Sequence, residues 1–221
     1  MTLVLFDIDG TLVRCGGSGA SAMAQAAGEL YGRYDMFDGL SFAGAVDLSI
    51  VSTALESAGI PATDRRISRL HGRYVRRLTR SLQPGVGEMC PGVVETLENI
   101  GAIARIGLLT GNWKDGAQVK LNAFGLSAYF EGSVGAYGGD AMSRNELVPV
   151  AYERARRRMR NLTRIVVIGD TPADVYCARA GHRSLMDHGV EVLSVAVETG
   201  FASADQLRSV DPDLQIKDFV A

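Results

Sequence analysis

Apolar positions in this chain fall into blocks with two different periods. Short runs rich in branched residues, each closed by turn chemistry, recur at 2–6, 103–109, 133–136, 165–168 and 192–197. Runs of this length and continuity predict strands buried on both faces, as in a parallel sheet. Helical spacing fills the intervals at 93–100, 114–124, 146–159 and 172–180. Pro91 and Pro172 stand where a first helical turn tolerates proline, and Gly101, Gly125 and Gly181 mark the expected helix ends. Strands alternating with helices predict βαβ units and the α/β class.

From about residue 16 to 84 that rhythm stops. The stretch offers no convincing strand but three helical candidates, at 18–33, 46–58 and 64–82. In the third, Ile67, Leu70, Tyr74, Leu78 and Leu82 recur at steps of three and four, while Arg65, Arg66, Arg69, Arg73, Arg76, Arg77 and Arg80 fill most of the rest. The apolar stripe predicts a packed face and the arginines a solvated one. The expected division is therefore an α/β core of residues 1–15 and 85–221 carrying an inserted helical domain, 16–84. Gln83-Pro84-Gly85-Val86-Gly87 would be the hinge back to the sheet.

The polar residues that interrupt these blocks gather at strand ends. The first strand runs into Asp7-Ile8-Asp9-Gly10-Thr11-Leu12, where residues two apart point the same way and Gly10 permits a sharp turn. A second runs into Thr110-Gly111-Asn112, and a third into Gly169-Asp170-Thr171-Pro172-Ala173-Asp174. Ligands of open α/β sheets bind beyond the carboxyl ends of the strands. An isolated Asp-x-Asp reads equally well as turn chemistry, and Asp174 as a helix cap. Four carboxylates in one place repel unless a cation joins them. An all-oxygen set favours a hard ion, with Mg²⁺ the usual choice where a phosphate also coordinates.

Composition narrows the function classes. Twenty-three Lys and Arg against 25 Asp and Glu give a formal net charge of -2, without the basic excess of a nucleic-acid binder. No run approaches the roughly 18 apolar residues of a membrane span, and the first residues lack the basic start of an export signal. Cys15, Cys90 and Cys177 lie far apart with no metal or disulfide spacing. A soluble, cytoplasmic protein is expected.

Asp-x-Asp-Gly-Thr, then Leu-Thr-Gly-Asn, then Gly-Asp-x-x-x-Asp, in that order, resembles the haloacid dehalogenase superfamily. Val-Ile-Gly-Asp-Thr-Pro-Ala-Asp-Val with Cys-Ala-Arg-Ala following is similar to its phosphoglycolate phosphatase-like branch. The resemblance implies a Rossmann-like parallel sheet core with an inserted helical cap, and Mg²⁺-dependent hydrolysis of a small phosphorylated metabolite. It implies Asp7 as nucleophile, forming an aspartyl phosphate, and Asp9 as acid and base. Thr110, Gly111 and Asn112 would contact the phosphate, and Asp7, Asp9, Asp170 and Asp174 the metal. The family's usual phosphate-binding lysine, often followed by proline, is missing. Arg144, in Ser143-Arg144-Asn145-Glu146-Leu147, is the best-placed catalytic and substrate-binding cation. Lys120 is its competitor, expected to face solvent from a helix.

The expected partners follow from this: a small phosphorylated substrate, no nucleic acid and no membrane, with a homodimer as the assembly to examine. Phosphomutase and dehalogenase chemistries of the same superfamily are alternatives, as is a non-catalytic protein that binds a phosphorylated ligand. Dehalogenation needs neither the leaving-group acid nor a metal, which sets it against Asp9, Asp170 and Asp174. The glycine run at 16–19 lacks phosphate-loop spacing and reads as an exit into the helical segment, with Arg14 and Ser18 beside it. His71, His182 and His188 lack metal spacing, and Trp113 reads as packing for a helix start.

Overall fold

A computed structural model of the protein describes residues 1–83 and 85–220. Strand β1 (Thr2–Phe6) leads into a short strand β2 (Val13–Arg14), and three helices follow: α1 (Ser18–Tyr31), α2 (Asp47–Ser57) and α3 (Asp64–Ser81). The chain re-enters through β3 (Glu88–Met89) and α4 (Val93–Ile103), then alternates: β4 (Arg105–Thr110), α5 (Lys114–Ala123), β5 (Val134–Tyr137), α6 (Leu147–Ala155), β6 (Arg164–Gly169), α7 (Pro172–Leu185) and β7 (Glu191–Val197). Helix α8 (Ala204–Ser209) and β8 (Leu214–Ile216) complete it. The expected α/β class holds, and no strand falls within residues 16–83.

The main sheet has six parallel strands in the order β5-β4-β1-β6-β7-β8. The chain moves outward from β1 to β4 and β5, then crosses back to build β6, β7 and β8 on the other side. The crevice between β1 and β6 is thus the topological switch point where such sheets bind ligands. Because β4, β1 and β6 are neighbours, the three strand-end motifs fall side by side. Leu3, Leu5 and Phe6 of β1 are fully buried, as central strand residues covered on both faces must be.

Helix α3 lays Leu70, Tyr74 and Leu78 inward and leaves most of its arginines at the surface, as the stripe predicted. One buried cluster runs without a break from Phe6, Ile8 and Leu12 through Met23 and Tyr74 to Trp113 and Leu121, joining the three helices to the sheet.

Several boundaries differ from the expectation. Gly101 does not stop α4, which continues to Ile103, so Ile103 is a helix end at 88% exposure rather than a strand residue. Gly181 lies inside α7, where an added Cβ would come within 2.3 Å of Val148; its smallness serves the close approach of α6 and not a helix end. The β2–β3 ribbon, α8 and β8 were not anticipated, being too short for periodicity to reveal. Pro84 of the expected hinge lies outside the described residues.

Candidate active site

Asp7 follows β1 directly, and its N–H continues the parallel ladder by donating to the Ile168 carbonyl at 2.9 Å. This fixes the side chain beyond the strand end, beside the motif after β6. Asp7, Asp170 and Asp174 are all buried and offer carboxylate oxygens within 4.8 Å of one another. Asp170 is held from both sides: Thr11 donates its hydroxyl to Oδ1 at 3.1 Å, and the Phe201 N–H donates to Oδ2 at 2.8 Å. Gly10 makes this possible, since it turns at φ +84° and a Cβ there would meet Asp170 Oδ2 at 2.3 Å.

Asp174 has a different partner at each carboxylate oxygen. Its Oδ2 accepts from the N–H and hydroxyl of Thr171, at 3.0 and 2.7 Å, capping α7, while Oδ1 accepts from Arg144 Nη2. Arg144, in a short 3-10 turn after β5, also lies 3.1 Å from Asp7 Oδ2. The guanidinium thus bridges the buried Asp7 and Asp174, and burial is outweighed there by the two carboxylates, which push its pKa further up. In this group, among the described residues, two buried polar atoms lack hydrogen-bond partners: Asp7 Oδ1, an acceptor, and Arg144 Nε, a donor. One suits a cation and the other an anion.

Burial, with Asp174 and Asp9 adding repulsion against the pull of Arg144, raises the Asp7 carboxyl to about 6. Asp170 is pushed up strongly by burial and by the charges of Asp174 and Asp7. Three crowded carboxylates with a single guanidinium between them are short of positive charge. All-oxygen donors and the partnerless Asp7 Oδ1 therefore fit a hard divalent ion such as Mg²⁺.

Asp9 stands apart from this group. Its Oδ2 accepts from Asn112 Nδ2 at 2.7 Å and from the Lys120 ammonium, which also donates to Asn112 Oδ1 at 2.7 Å. Burial works to raise the Asp9 pKa, but the Lys120 charge and these hydrogen bonds overrule it, and the carboxyl is held below its usual value. The residues expected to act together through i, i+2 alternation thus share a cavity but not a partner. Asn112 Nδ2 also donates to the Thr110 hydroxyl at 2.8 Å, which locks the motif after β4.

Lys120 corrects the solvent-facing expectation: it is 3% exposed. It lies on the inward face of α5 with Gly116, Ala117 and Leu121, and these small and apolar neighbours at steps of three and four were the signal available in the sequence. Both candidate cations therefore reach the cavity, Arg144 against Asp7 and Lys120 against Asp9.

Asp47 is a further acidic group of the cavity. It opens α2, is buried, and accepts from the Trp113 N–H at 2.7 Å through Oδ2. Burial pushes its pKa up to about 7. The adjoining backbone docks on the sheet side, with Asp47 N–H on the Gly111 carbonyl at 2.7 Å and Leu48 N–H on that of Gly138 at 3.1 Å. Gly111 must be glycine here, because a Cβ would lie 1.9 Å from the Ala45 carbonyl oxygen. Trp113 itself packs against His71 and Tyr74, with ring centroids at 4.6 and 5.7 Å, in the packing role expected of it.

The cavity enclosed by these residues measures about 360 Å³. Gly16, Gly17, Arg14 and Phe201 also border it. Arg14 is tied to Glu88 and to the Thr199 carbonyl. No helix among the described residues is long and apolar enough to cross a membrane.

Comparison with known proteins agrees with this architecture. The chain is 25% identical over 220 residues to the probable phosphatase IndB of Dickeya dadantii (strain 3937), covering 98% of this chain and 90% of that one. Its fold is similar to that of a predicted phosphoglycolate phosphatase from Haemophilus somnus 129pt, at 21% identity and a TM-score of 0.64, over 98% and 94% of the two chains. Similar too is CbbY from Rhodobacter sphaeroides in complex with phosphate, at 15% identity and a TM-score of 0.71, again over 98% and 94%. The haloacid dehalogenase-like hydrolase family matches residues 1–182, and the chain belongs to that family.

Proposed function

We propose that the protein is a Mg²⁺-dependent phosphatase that hydrolyses a small phosphorylated metabolite through an aspartyl phosphate on Asp7. Family membership together with phosphatase-named relatives makes it a phosphatase hydrolase. The observation that carries the mechanism is the pair of partnerless buried atoms, Asp7 Oδ1 and Arg144 Nε, on two side chains that line one cavity. Asp7, Asp170 and Asp174 would hold the ion. Mg²⁺, when bound, supplies positive charge against the phosphoryl oxygens.

In the first half of the reaction, an Asp7 oxygen forms a bond to phosphorus as the bond to the leaving alcohol oxygen breaks. Arg144 holds a phosphoryl oxygen through its free Nε–H and prevents Asp7 and the phosphate from repelling each other. The leaving oxygen takes a proton from the Asp9–Lys120 unit, in which the ammonium and carboxylate already share a hydrogen bond. In the second half the same unit accepts a proton from the attacking water, and phosphate departs from Asp7. Thr110 and Asn112 keep the Asp9 carboxylate aimed. Helices α1–α3, as a cap domain of residues 16–84, exclude bulk water.

The test is release of inorganic phosphate from p-nitrophenyl phosphate by the purified chain with Mg²⁺. Loss in Asp7→Asn and strong reduction in Asp9→Asn are expected. Full activity of Asp7→Asn would overturn the aspartyl-phosphate route.

A further inference from the structure

The cavity wall opposite the aspartates has a distinctive chemistry. It is built from Met23, Phe42 and Ile50, with Asp47 and the Tyr74 phenol as its polar groups. The cations lining the cavity, among the described residues, are Arg14, Lys120 and Arg144. Each is already engaged: Arg144 by Asp7 and Asp174, Lys120 by Asp9 and Asn112, and Arg14 by Glu88 and the Thr199 carbonyl. The transferred phosphate would take up what positive charge Arg144 can still offer. A second anionic group on the substrate would therefore enter an apolar wall beside a carboxyl group, with no unpaired side-chain cation among the described residues to meet it. An unpaired charge moved from water into such surroundings is strongly penalised.

Asp47 gives the wall its acidic hydrogen-bond acceptor. Its Oδ2 is occupied by the Trp113 N–H, while Oδ1 has no hydrogen-bond partner among the described residues. The contact is positioned rather than incidental, because the adjoining Asp47 N–H is anchored on Gly111 and the side chain on Trp113. A cavity of about 360 Å³ takes a phosphate and a small organic body.

We propose that the substrate is a phosphate monoester whose alcohol portion carries no second anionic group, lays an apolar body against Met23, Phe42 and Ile50, and donates one hydroxyl or N–H to Asp47. This substrate class rests on the phosphatase reading above. It also sets the protein apart from an enzyme for phosphorylated carboxylic acids or bisphosphates.

The experiment compares matched pairs that differ by one anionic group: 2-hydroxyethyl phosphate against phosphoglycolate, and ribose 5-phosphate against ribose 1,5-bisphosphate. All are assayed with Mg²⁺ for phosphate release, with p-nitrophenyl phosphate as the reference. The expected kcat/KM for the member of each pair without the second anionic group is higher by about 30-fold or more, the scale of leaving a buried charge unpaired. Ile50→Arg should narrow or invert that ratio by supplying the missing cation. Asp47→Asn, which can still accept from Trp113, should lower kcat/KM for 2-hydroxyethyl phosphate relative to p-nitrophenyl phosphate, chiefly through KM. Equal or better turnover of the charged members by the unmodified protein would overturn the substrate class and leave the phosphatase reading standing. No phosphate release from any of the five compounds would overturn both. An unchanged ratio in Asp47→Asn would remove Asp47 from the recognition site.

Discussion

The ammonium of Lys120 is hydrogen-bonded to the carboxylate of Asp9, so each of the two aspartates of the first motif has its own buried cation. Arg144 serves Asp7 from the turn before α6, and Lys120 serves Asp9 from α5. The two cations thus pair with different carboxylates of the same motif. Arg144→Ala should lower kcat/KM by about 10²–10³-fold, the scale of losing a preorganised donor to the transferring group, and more than Lys120→Ala does. Steady-state kinetics on both variants decides this; an equal or reversed order would move the phosphate-binding role to Lys120.

Arg144 also neutralises a site that holds more carboxylates than cations. Removing it strands Asp7 and Asp174, a change that costs about 3–5 kcal/mol for a buried pair. Thermal unfolding of Arg144→Ala in chelator should reveal that loss, and Mg²⁺ should restore part of it. In the unmodified protein Mg²⁺ at a hundred times its Kd should stabilise by about 2.7 kcal/mol. Asp170→Asn should abolish that stabilisation. A Mg²⁺ response that survives in Asp170→Asn would place the ion elsewhere.

The raised Asp47 carboxyl makes a pH-dependent prediction with a definite sign. Its pKa is about 7 when folded, against 3.8 for an ordinary aspartate. Between those values the folded protein binds the extra proton, so this group's contribution to stability falls as pH rises from about 4 to about 7. Asp47→Asn removes that loss. Measured in chelator, the variant should gain on the unmodified protein by roughly 3 °C or more in melting temperature between pH 4.5 and 8. Asp7 and Asp170 titrate in both proteins and largely cancel in the difference. A difference that does not vary with pH would mean Asp47 ionises normally.

Two glycines offer a contrast between docking and core packing. Gly111→Ala pushes a Cβ against the Ala45 carbonyl, and Gly181→Ala pushes one against Val148. Each should cost about 1–3 kcal/mol, as overpacking does. Only Gly111→Ala should also depress kcat/KM in the fraction that remains folded, because only it displaces the segment leading into Asp47. Comparable activity losses in both variants, measured below their melting points, would contradict this.

The parts of the site that were legible in the sequence are those carried by the parallel strands. Asp7, Thr110 and Asp170 each end a strand, and adjacency of β4, β1 and β6 brings any three strand ends together. Arg144 could be found because it begins a helix after the next strand. Lys120 was harder, since a lysine within a helix usually points outward, and only Gly116 and Ala117 one turn earlier indicated a buried face. For Asp47 the sequence offered only that the segment 44–47 links two predicted helices, without singling out a side chain: an acidic residue in a first helical turn is equally common at the surface, where it offsets the helix dipole. Its role depends on which surface α2 docks upon, a long-range fact that local pattern does not contain. The same limit applies to Gly181, read as an end because nothing nearby in sequence reveals Val148 across the helix interface.

The unbroken cluster from Phe6 through Tyr74 to Leu121 has a kinetic consequence. Helices sharing a hydrophobic interior with the sheet cannot swing away as a free lid without tearing that interior apart. Traffic of reactant and product must therefore pass by a smaller movement. Gly16 and Gly17 border the cavity in left-handed turns, with open space where their Cβ atoms would stand, so that edge is the place where such a movement would meet least packing. Turnover would then be paced by the breathing of a few residues, and stiffening that edge should slow the exit of phosphate before it affects the chemical step.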